Sequence, residues 1–121
     1  VSTMFDYCTN LMNLTLKNIK VALKIGSGTS WGHLLTVDSL VNTIKELWDY
    51  SSGTSTYTLT MGNANTAKLA NVYVKLITPT AEQIATDPYI ESKMPCEVCE
   101  STDDGAMLIT DYATLKNWTL A

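Results

Sequence analysis

The sequence predicts an α/β fold: a short right-handed solenoid with a small, mostly parallel sheet, helices on the convex side and an elaborated C-terminal cap. Three observations lead to this prediction: leucines at a repeat spacing near the N-terminus, apolar segments whose period changes between two and 3.6 residues, and a final helix followed by a strand. The 121 residues suffice for a single domain. Within it we expect degenerate repeat coils over 1–66 and a cap over 67–121, with an insertion at 71–108.

The first coil begins with a leucine pattern. Leu11, Leu14, Leu16 and Val21 fit the spacing L-x-x-L-x-L-x-x-N-x-L of a leucine-rich repeat. Ile19 occupies a position where that pattern has Asn or Cys, so the repeat is degenerate. A short strand in this pattern would point Leu14 and Leu16 inward. The side chains expected to point outward are Asn13, Thr15 and Lys17.

The next two elements are a strand and a helix. Alternating apolar residues over 21–25 predict a second short strand, or an extension of the first, that stops at the loop from Gly26 to Gly32. An apolar stripe then predicts a helix over about 39–50, with Asp38 as its N-cap, packed on the back of the strands. The stripe consists of Leu40, Val41, Ile44, Leu47 and Trp48.

A second strand and helix follow. Tyr57, Leu59 and Met61 alternate with threonines, which predicts a half-buried strand with an outer face that carries Thr58 and Thr60. Gly62 and the asparagines after it predict a turn. Apolar residues from Ala67 to Leu76 predict a second helix, which ends before Pro79.

The composition changes between Pro79 and Asp104, which contain all three prolines and seven of the twelve acidic residues. Here we expect a short helix around Ala81 to Ala85 and a strand around Glu97 to Cys99.

The C-terminus has clearer signals. Thr110 can cap a helix from Asp111 to Lys116, and Asn117 can adopt the left-handed conformation that ends it. Trp118, Thr119 and Leu120 predict a last strand. Strand, helix and strand, with the final strand returning beside the first, would form a right-handed parallel crossover.

Four stretches carry a resemblance to a known family. The residues Met4-Phe5-Asp6-Tyr7-Cys8-Thr9-Asn10-Leu11, continuing to Leu14 and Leu16, resemble the repeat unit of BspA-type leucine-rich repeats, which occur in surface proteins of gut Bacteroides. The stretches 58–62, 66–69 and 113–121 are similar to the capping unit of that family. Asn117 replaces the family's glycine, and about 40 residues from Asn71 to Leu108 are inserted.

Part of the insertion has a second resemblance. The residues from Pro95 to Met107 resemble segments of virion proteins of crAss-like phages that infect Bacteroides. This resemblance implies a fibre, spike or capsid-decorating protein that uses a repeat domain to meet a host surface or another virion subunit.

Charge excludes one class of function. The net charge is −4, and all eight basic residues are lysines. Nucleic-acid binding depends on basic patches, and bidentate recognition on arginine, so we expect no nucleic-acid partner. No apolar run approaches the roughly 20 residues of a membrane span. The chain starts with Val1 and no signal peptide follows, so it looks like a processed product, a fragment or part of something longer.

The residues complete no catalytic or metal site. The glycine loop has the spacing G-x-G-x-x-x-G, one residue too long for a dinucleotide site, and no Lys follows as in a phosphate-binding loop. Cys96 and Cys99 have CxxC spacing, but on a strand they face opposite sides, and only Cys8 and His33 remain as further zinc ligands. His33 could act as a catalytic base only beside a nucleophilic serine, and no tight strand-to-helix turn presents a serine near it in the sequence. Trp31 in the glycine loop is either an aromatic contact or folds onto the core.

The sequence therefore predicts a non-enzymatic virion domain for attachment or assembly, without catalytic residues, metal or cofactor. The expected binding residues are Asn13, Thr15, Lys17, Thr58 and Thr60. Short hydroxyls and amides on an open strand face can hydrogen-bond sugars or peptide backbone. Expected partners are other virion or surface subunits, or a host glycan or surface protein, in an oligomer or larger chain. The alternatives are a bacterial surface adhesin of the same fold and a small CxxC redox or metal protein.

Overall fold

The computed structural model describes residues 5–28 and 30–121, and this part of the chain forms two three-stranded sheets with helices between their strands. The strands are β1 (Leu23–Lys24), β2 (Tyr57–Thr60), β3 (Tyr73–Leu76), β4 (Cys96–Cys99), β5 (Met107–Leu108) and β6 (Trp118–Leu120). The helices are α1 (Val37–Lys45), α2 (Asn63–Lys68), α3 (Ala81–Thr86) and α4 (Ile109–Leu115), with a 3-10 helix at Ile90–Lys93. None of the helices in the described ranges has the length and apolar character needed to cross a membrane.

The parallel sheet has β2 at its centre, with β1 on one side and β6 on the other. Leu59 is fully buried, whereas its neighbours Thr58 and Thr60 are half-buried, so the predicted alternation is confirmed. The predicted strands at the end of the chain and at 57–60 are also confirmed, and they pair in parallel. Across this sheet the strands lie in the order in which they occur in the chain, with β3, β4 and β5 of the other sheet between β2 and β6 in the sequence.

Helix α1 begins two residues earlier than predicted and ends sooner. Its N-cap is Thr36 rather than Asp38, because Thr36 Oγ1 accepts a hydrogen bond from Ser39 N at 3.2 Å. The helix ends at Lys45 because the next residues pair with the N-terminal segment: Ile19 N donates to Glu46 O at 2.9 Å. The predicted stripe includes three fully buried side chains, Leu40, Ile44 and Leu47.

The predicted helix from Ala67 to before Pro79 is wrong. Helix α2 begins at Asn63, where a turn was expected, and the chain becomes strand β3 from Tyr73. Val74 is fully buried while the residues on either side of it are half-buried, which is the two-residue period of a strand. Strands β4 and β5 pair with the two edges of β3, and these long-range bonds override the helical pattern of apolar residues.

The turn between β2 and α2 depends on two residues. Gly62 has φ 86°, a conformation that favours glycine, and a Cβ there would lie 2.6 Å from Gly28 N. Asn65 is fully buried, and its Nδ2 donates to Met61 O at 2.8 Å and to Gly32 O at 2.9 Å. These contacts fix the glycine loop against the end of β2 and start α2.

The second sheet is antiparallel, with the order β4, β3, β5, and lies within the predicted insertion at 71–108. The predicted helix around Ala81 to Ala85 is confirmed as α3, which begins with a capping box between Thr80 and Gln83. The predicted strand around Glu97 to Cys99 is confirmed as β4. Strands β3 and β5 and the 3-10 helix were not predicted. The fold is therefore mixed α/β with one parallel and one antiparallel sheet, rather than a mostly parallel one.

The predicted first strand is absent: residues 11–17 form no strand. The predicted alternation of exposure is nevertheless present, since Leu14 and Leu16 are half-buried against the core and the residues between them are exposed. Leu14 N donates to the Ser39 side chain at 3.0 Å, and Met12 O accepts from Thr36 N at 2.9 Å. The segment is thus held along α1 by scattered bonds and not by a strand ladder.

The C-terminal elements are close to their predicted positions. Helix α4 begins at Ile109 with Leu108 as its N-cap, not Thr110, because Ile109 N donates to Val72 O at 2.9 Å. Asn117 has φ 64°, which confirms the left-handed helix end. One cluster of buried side chains joins both halves of the chain, and its members include Ile44, Leu59, Val74, Tyr112 and Trp118.

Candidate binding surface

The threonines predicted to bind a partner lie on the parallel sheet. Thr58 and Thr60 project from β2 on the side opposite fully buried Leu59. Thr58 is paired in register with Thr119 of β6, and Thr60 with Lys24 of β1. This side of the sheet therefore presents short hydroxyl side chains and one amine.

The other three predicted binding residues lie on the segment along α1. Asn13, Thr15 and Lys17 are exposed. Thr15 and Lys17 line a recess together with Asn42 and Lys45 of α1. Because α1 buries Leu40 and Ile44 in the cluster that contains Leu59, this recess lies on the α1 side of the molecule, away from Thr58 and Thr60. The five residues thus form two separate groups in the structure. Their role in binding stays a prediction.

A second recess of about 250 Å³ lies at the free edge of β1. Its apolar wall consists of Phe5, Leu16, Ile19, Val21 and Leu23. The Val21 side chain is notable because 58% of it is exposed, although it lies beside the core. Leu16 and Lys17 belong to both recesses, so the two recesses adjoin.

The backbone of β1 is open on the side facing this recess. Ile25 N donates to Thr60 O at 2.8 Å, and successive residues of a strand direct their backbone groups to opposite sides. The N–H and C=O of Lys24 therefore point away from β2, and within the described ranges no hydrogen-bond partner occurs for either. An edge of this kind is a template for pairing with another strand.

Three lysines surround the same edge. Lys17 is 71% exposed at its side chain, and its Nζ lies 4.0 Å from Glu46 Oε2. Lys20 Nζ lies 4.4 Å from the Trp48 ring centroid. Lys24 Nζ lies 5.4 Å from the ring of Trp31. Lys17 and Lys20 are exposed and Lys24 is half-buried. Contacts of this length near the surface leave the positive charges available to a partner. We call the surface formed by Lys17, Lys20, Val21 and Lys24 the basic edge.

Trp31 itself is 5% exposed, so it folds onto the core instead of projecting from the glycine loop.

Beneath the basic edge is an ion cluster that local sequence patterns do not reveal. The buried Lys93 Nζ lies 2.7 Å from Glu46 Oε1 and 2.6 Å from Asp87 Oδ2. Burial acts to lower the pKa of Lys93, but hydrogen bonds to both carboxylates outweigh it and the pKa is raised. The same hydrogen bond lowers the pKa of Asp87. The cluster is internal and joins α1 to the 3-10 helix.

A second buried cluster consists of Lys116, Tyr112 and Cys96. Lys116 Nζ donates to Ile44 O at 3.2 Å and to Tyr112 Oη at 2.9 Å, and burial lowers the pKa of Lys116 to about 7. Burial also raises the pKa values of Tyr112 and Cys96. All three residues are at most 1% exposed, so the amine closes the C-terminus of α1 and has no path to a substrate.

The CxxC pair has the geometry of a strand. Cys96 and Cys99 are the first and last residues of β4, so their side chains point to opposite faces, and both are free thiols. Burial raises the pKa of Cys96, and partial burial raises that of Cys99. A reactive thiol needs the opposite shift. In the described ranges no group of three or more His, Cys, Asp or Glu side chains is arranged to hold a metal ion.

His33 lies in the loop before α1. Its carbonyl oxygen accepts a hydrogen bond from Lys68 Nζ at 2.7 Å. Its Nδ1 is buried and has no hydrogen-bond partner among the described residues. The surroundings of His33 are therefore those of a loop residue packed against α2.

No protein-family model, curated protein or solved structure matches this chain.

Proposed function

We propose that the chain is a non-enzymatic attachment or assembly domain of a phage virion, such as a fibre, spike or capsid decoration, and that it binds a protein partner at its basic edge. The observation that carries this proposal is the combination found at β1: a strand edge that pairs with no other described residue, an apolar recess containing the exposed Val21, and three lysines, of which Lys17 and Lys20 are exposed and Lys24 is half-buried. Together these supply the backbone bonds, apolar contact and charge that strand addition uses.

The proposed fold family is the leucine-rich-repeat solenoid. In a solenoid each coil contributes one strand, and neighbouring strands are parallel and consecutive in the chain. The order β1, β2, β6 meets this condition once 71–108 is regarded as an insertion between the last two coils. In such an arrangement a preceding coil or a partner strand would occupy the free side of β1, which is the basic edge.

Binding at this edge has a defined physical basis. A partner strand beside β1 would accept from and donate to the backbone of Lys24 and would cover Val21. Burial of an exposed valine contributes about 1.5 kcal/mol or more, and the lysines increase the rate of encounter with an acidic partner. Two separate secondary surfaces are suited to sugars or peptide backbone of a host. The hydroxyls of Thr58 and Thr60 form one, and the polar side chains of Asn13, Thr15 and Lys17 form the other.

A bacterial surface adhesin of the same fold is the alternative. The location of the protein separates the two: we expect it in purified virions, whereas an adhesin would be in the cell envelope. Mass spectrometry of both fractions, from cultures that carry the gene, measures this. Absence from both fractions would overturn the proposal.

The binding surface is tested in the same particles. A photo-crosslinking amino acid at Val21 is expected to give a discrete crosslink to a virion or surface protein. The matched control is the same amino acid at Leu115, which is 47% exposed and lies on α4, outside the recess. Equal crosslinking at both positions, or none at Val21 in intact particles, would contradict binding at the basic edge.

A further inference from the structure

We infer that the partner of the basic edge is a second copy of this chain, which binds through an acidic edge at β4, so that copies associate head to tail. This inference rests on the proposed function, because it identifies the partner at the same surface.

The sequence separates the two signs of charge. Between Asp6 and Asp38 there are three lysines and no acidic residue, and these lysines are the ones at the basic edge. Between Lys93 and Lys116 there are five acidic residues and no lysine. Four of those five lie on β4 or the turn that follows it, namely Glu97, Glu100, Asp103 and Asp104. With Val98 they form the surface that we call the acidic edge.

The acidic edge is also an open strand edge. Strand β4 is the outer strand of the antiparallel sheet. Ile77 N donates to Pro95 O at 3.0 Å, and hydrogen-bonded pairs alternate along an antiparallel ladder, so the backbone of Val98 points away from β3. The Val98 residue is 59% exposed, whereas Cys96 at the start of the strand is covered. The available edge is therefore the second half of β4.

The two edges complement each other. Each offers one exposed valine, Val21 or Val98. Each also has one residue, Lys24 or Val98, whose backbone points away from the neighbouring strand and pairs with no other described residue. Lysines surround the first valine and carboxylates the second. The local ion pairs are exposed and long, 4.0 Å for Lys17 with Glu46 and 3.5 Å for Lys75 with Glu97, so they compete weakly with an intermolecular contact.

Charge also decides the symmetry of the contact. Two basic edges, or two acidic edges, would place like charges opposite each other, which is unfavourable. A contact between unlike edges is heterologous, and it leaves one free edge of each kind at the ends of a dimer. Further copies can therefore add, which suits a component of a repetitive assembly.

Sedimentation velocity of the purified chain tests the association directly. At about 0.02 M salt we expect the weight-average mass to rise with concentration above the 13.3 kDa of one chain. At about 0.5 M salt, where charges are screened, we expect association to weaken by about tenfold or more. A chain that stays monomeric up to about 1 mM at low salt would overturn the inference.

Charge reversal tests which edges meet. The variant Lys17→Glu with Lys20→Glu should lose self-association, because its basic edge then carries more negative than positive charge and faces an acidic edge. The variant Glu100→Lys with Asp104→Lys should lose it as well, because the two new lysines cancel the charges of Glu97 and Asp103 and leave its acidic edge without net negative charge. An equimolar mixture of the two should associate again, since each variant retains the edge that the other has lost. The variant Glu82→Lys with Glu91→Lys has the same change of net charge as the second, but on α3 and the 3-10 helix, and should associate like the wild type.

These experiments distinguish failure of copy-to-copy association from failure of the proposed function. Urea unfolding of each variant shows whether the fold is intact, which we expect because the reversed side chains are exposed. Folded charge-reversal variants that still associate like the wild type would overturn head-to-tail contact. If the wild-type chain is monomeric but Val21 still crosslinks to a different virion protein, the copy-to-copy inference fails and the attachment proposal stands.

Discussion

At the scale of single residues, Lys93 is a buried cation that contacts two carboxylates. Its ammonium group, 2% exposed, is shared by Glu46 and Asp87. The replacement Lys93→Met would leave two neighbouring carboxylates partly buried without their cation. We expect the free energy of unfolding to fall by about 3 kcal/mol, measured by urea denaturation near neutral pH.

The control is Lys75→Met, which removes an exposed ion pair with Glu97 and should cost less than about 1 kcal/mol. The dependence of the unfolding free energy on pH provides a second check on the role of Lys93. The pKa of folded Asp87 is lowered from its ordinary value of 3.8, so its contribution is present above that pH and is lost as the pH falls. The difference in unfolding free energy between wild type and Lys93→Met should therefore become smaller in acid. A difference that does not change with pH, or equal effects of Lys93→Met and Lys75→Met, would contradict the role of Lys93.

Lys116 gives the protein a second pH dependence of stability, with the same sign as that of Asp87 but nearer neutral pH. Burial lowers its pKa from 10.5 to about 7, so between these values the unfolded chain binds more protons than the folded one. The free energy of unfolding should then rise with pH, by about 1 kcal/mol from pH 7 to pH 8. Near pH 9 and above, unfolded cysteines lose protons while Cys96, with its raised pKa, retains its own, and this opposes the gain.

The variant Lys116→Met has no titrating amine, so its unfolding free energy should be flat over the same interval. Urea denaturation of both proteins at half-unit steps of pH measures the two slopes. If the slopes are the same, Lys116 is not the group responsible.

At the scale of elements, the junction of β2 and α2 requires a glycine at position 62. Gly62 has φ 86° and ψ 157°, and a Cβ there would approach Gly28 N to 2.6 Å. Backbone strain and the clash together should make Gly62→Ala lose about 3 kcal/mol in urea denaturation. Gly53→Ala is the control, because the nearest atom to its Cβ would be Tyr50 O at 3.5 Å and its φ is not positive. Equal losses at both glycines would show that strain at Gly62 is not the cause.

The same junction shows why some elements could be predicted and others could not. Strand β2, helix α3 and strand β6 carry local signals, namely two-residue alternation, a capping box and a left-handed Asn117. The segment from Ala67 to Leu76 satisfies a helical pattern locally, and only pairing with β4, about 20 residues away in sequence, makes its second half a strand. Information of that kind is not present in a local window of residues.

The features of the candidate site also divide into those that a local sequence pattern predicts and those that depend on long-range strand pairing. Lys17 was expected to be an exposed polar residue, and it is one, because the alternation with half-buried Leu14 and Leu16 is a local property. The free side of β1 could not be found that way, since it depends on which strands pair in the sheet. One signal in the sequence did point towards it, since three lysines cluster there without acidic neighbours. The exposure of Val21 is visible only in the structure, because the sequence pattern groups it with buried Leu23 and Ile25.

At the scale of the whole molecule, the question is whether 1–66 and 67–121 unfold together. Contacts between them are numerous and specific. Lys93 bonds to Glu46, and Asp49 N donates to Ser92 O at 2.8 Å. Trp118 Nε1 donates to Trp48 O, also at 2.8 Å. Both halves contribute side chains to one buried cluster, so we expect a single cooperative unit.

Native-state hydrogen exchange measures this cooperativity sheet by sheet. Leu59→Ala in β2 and Val74→Ala in β3 each remove a fully buried side chain, and each should lower the unfolding free energy by about 2 to 4 kcal/mol. If 1–66 and 67–121 unfold together, either replacement lowers the opening free energy of the slowest amides in the parallel and in the antiparallel sheet by the same amount. A loss confined to the sheet that carries the replacement would instead show two independently unfolding units, and the antiparallel sheet would then be a separate module set between the last two parallel strands.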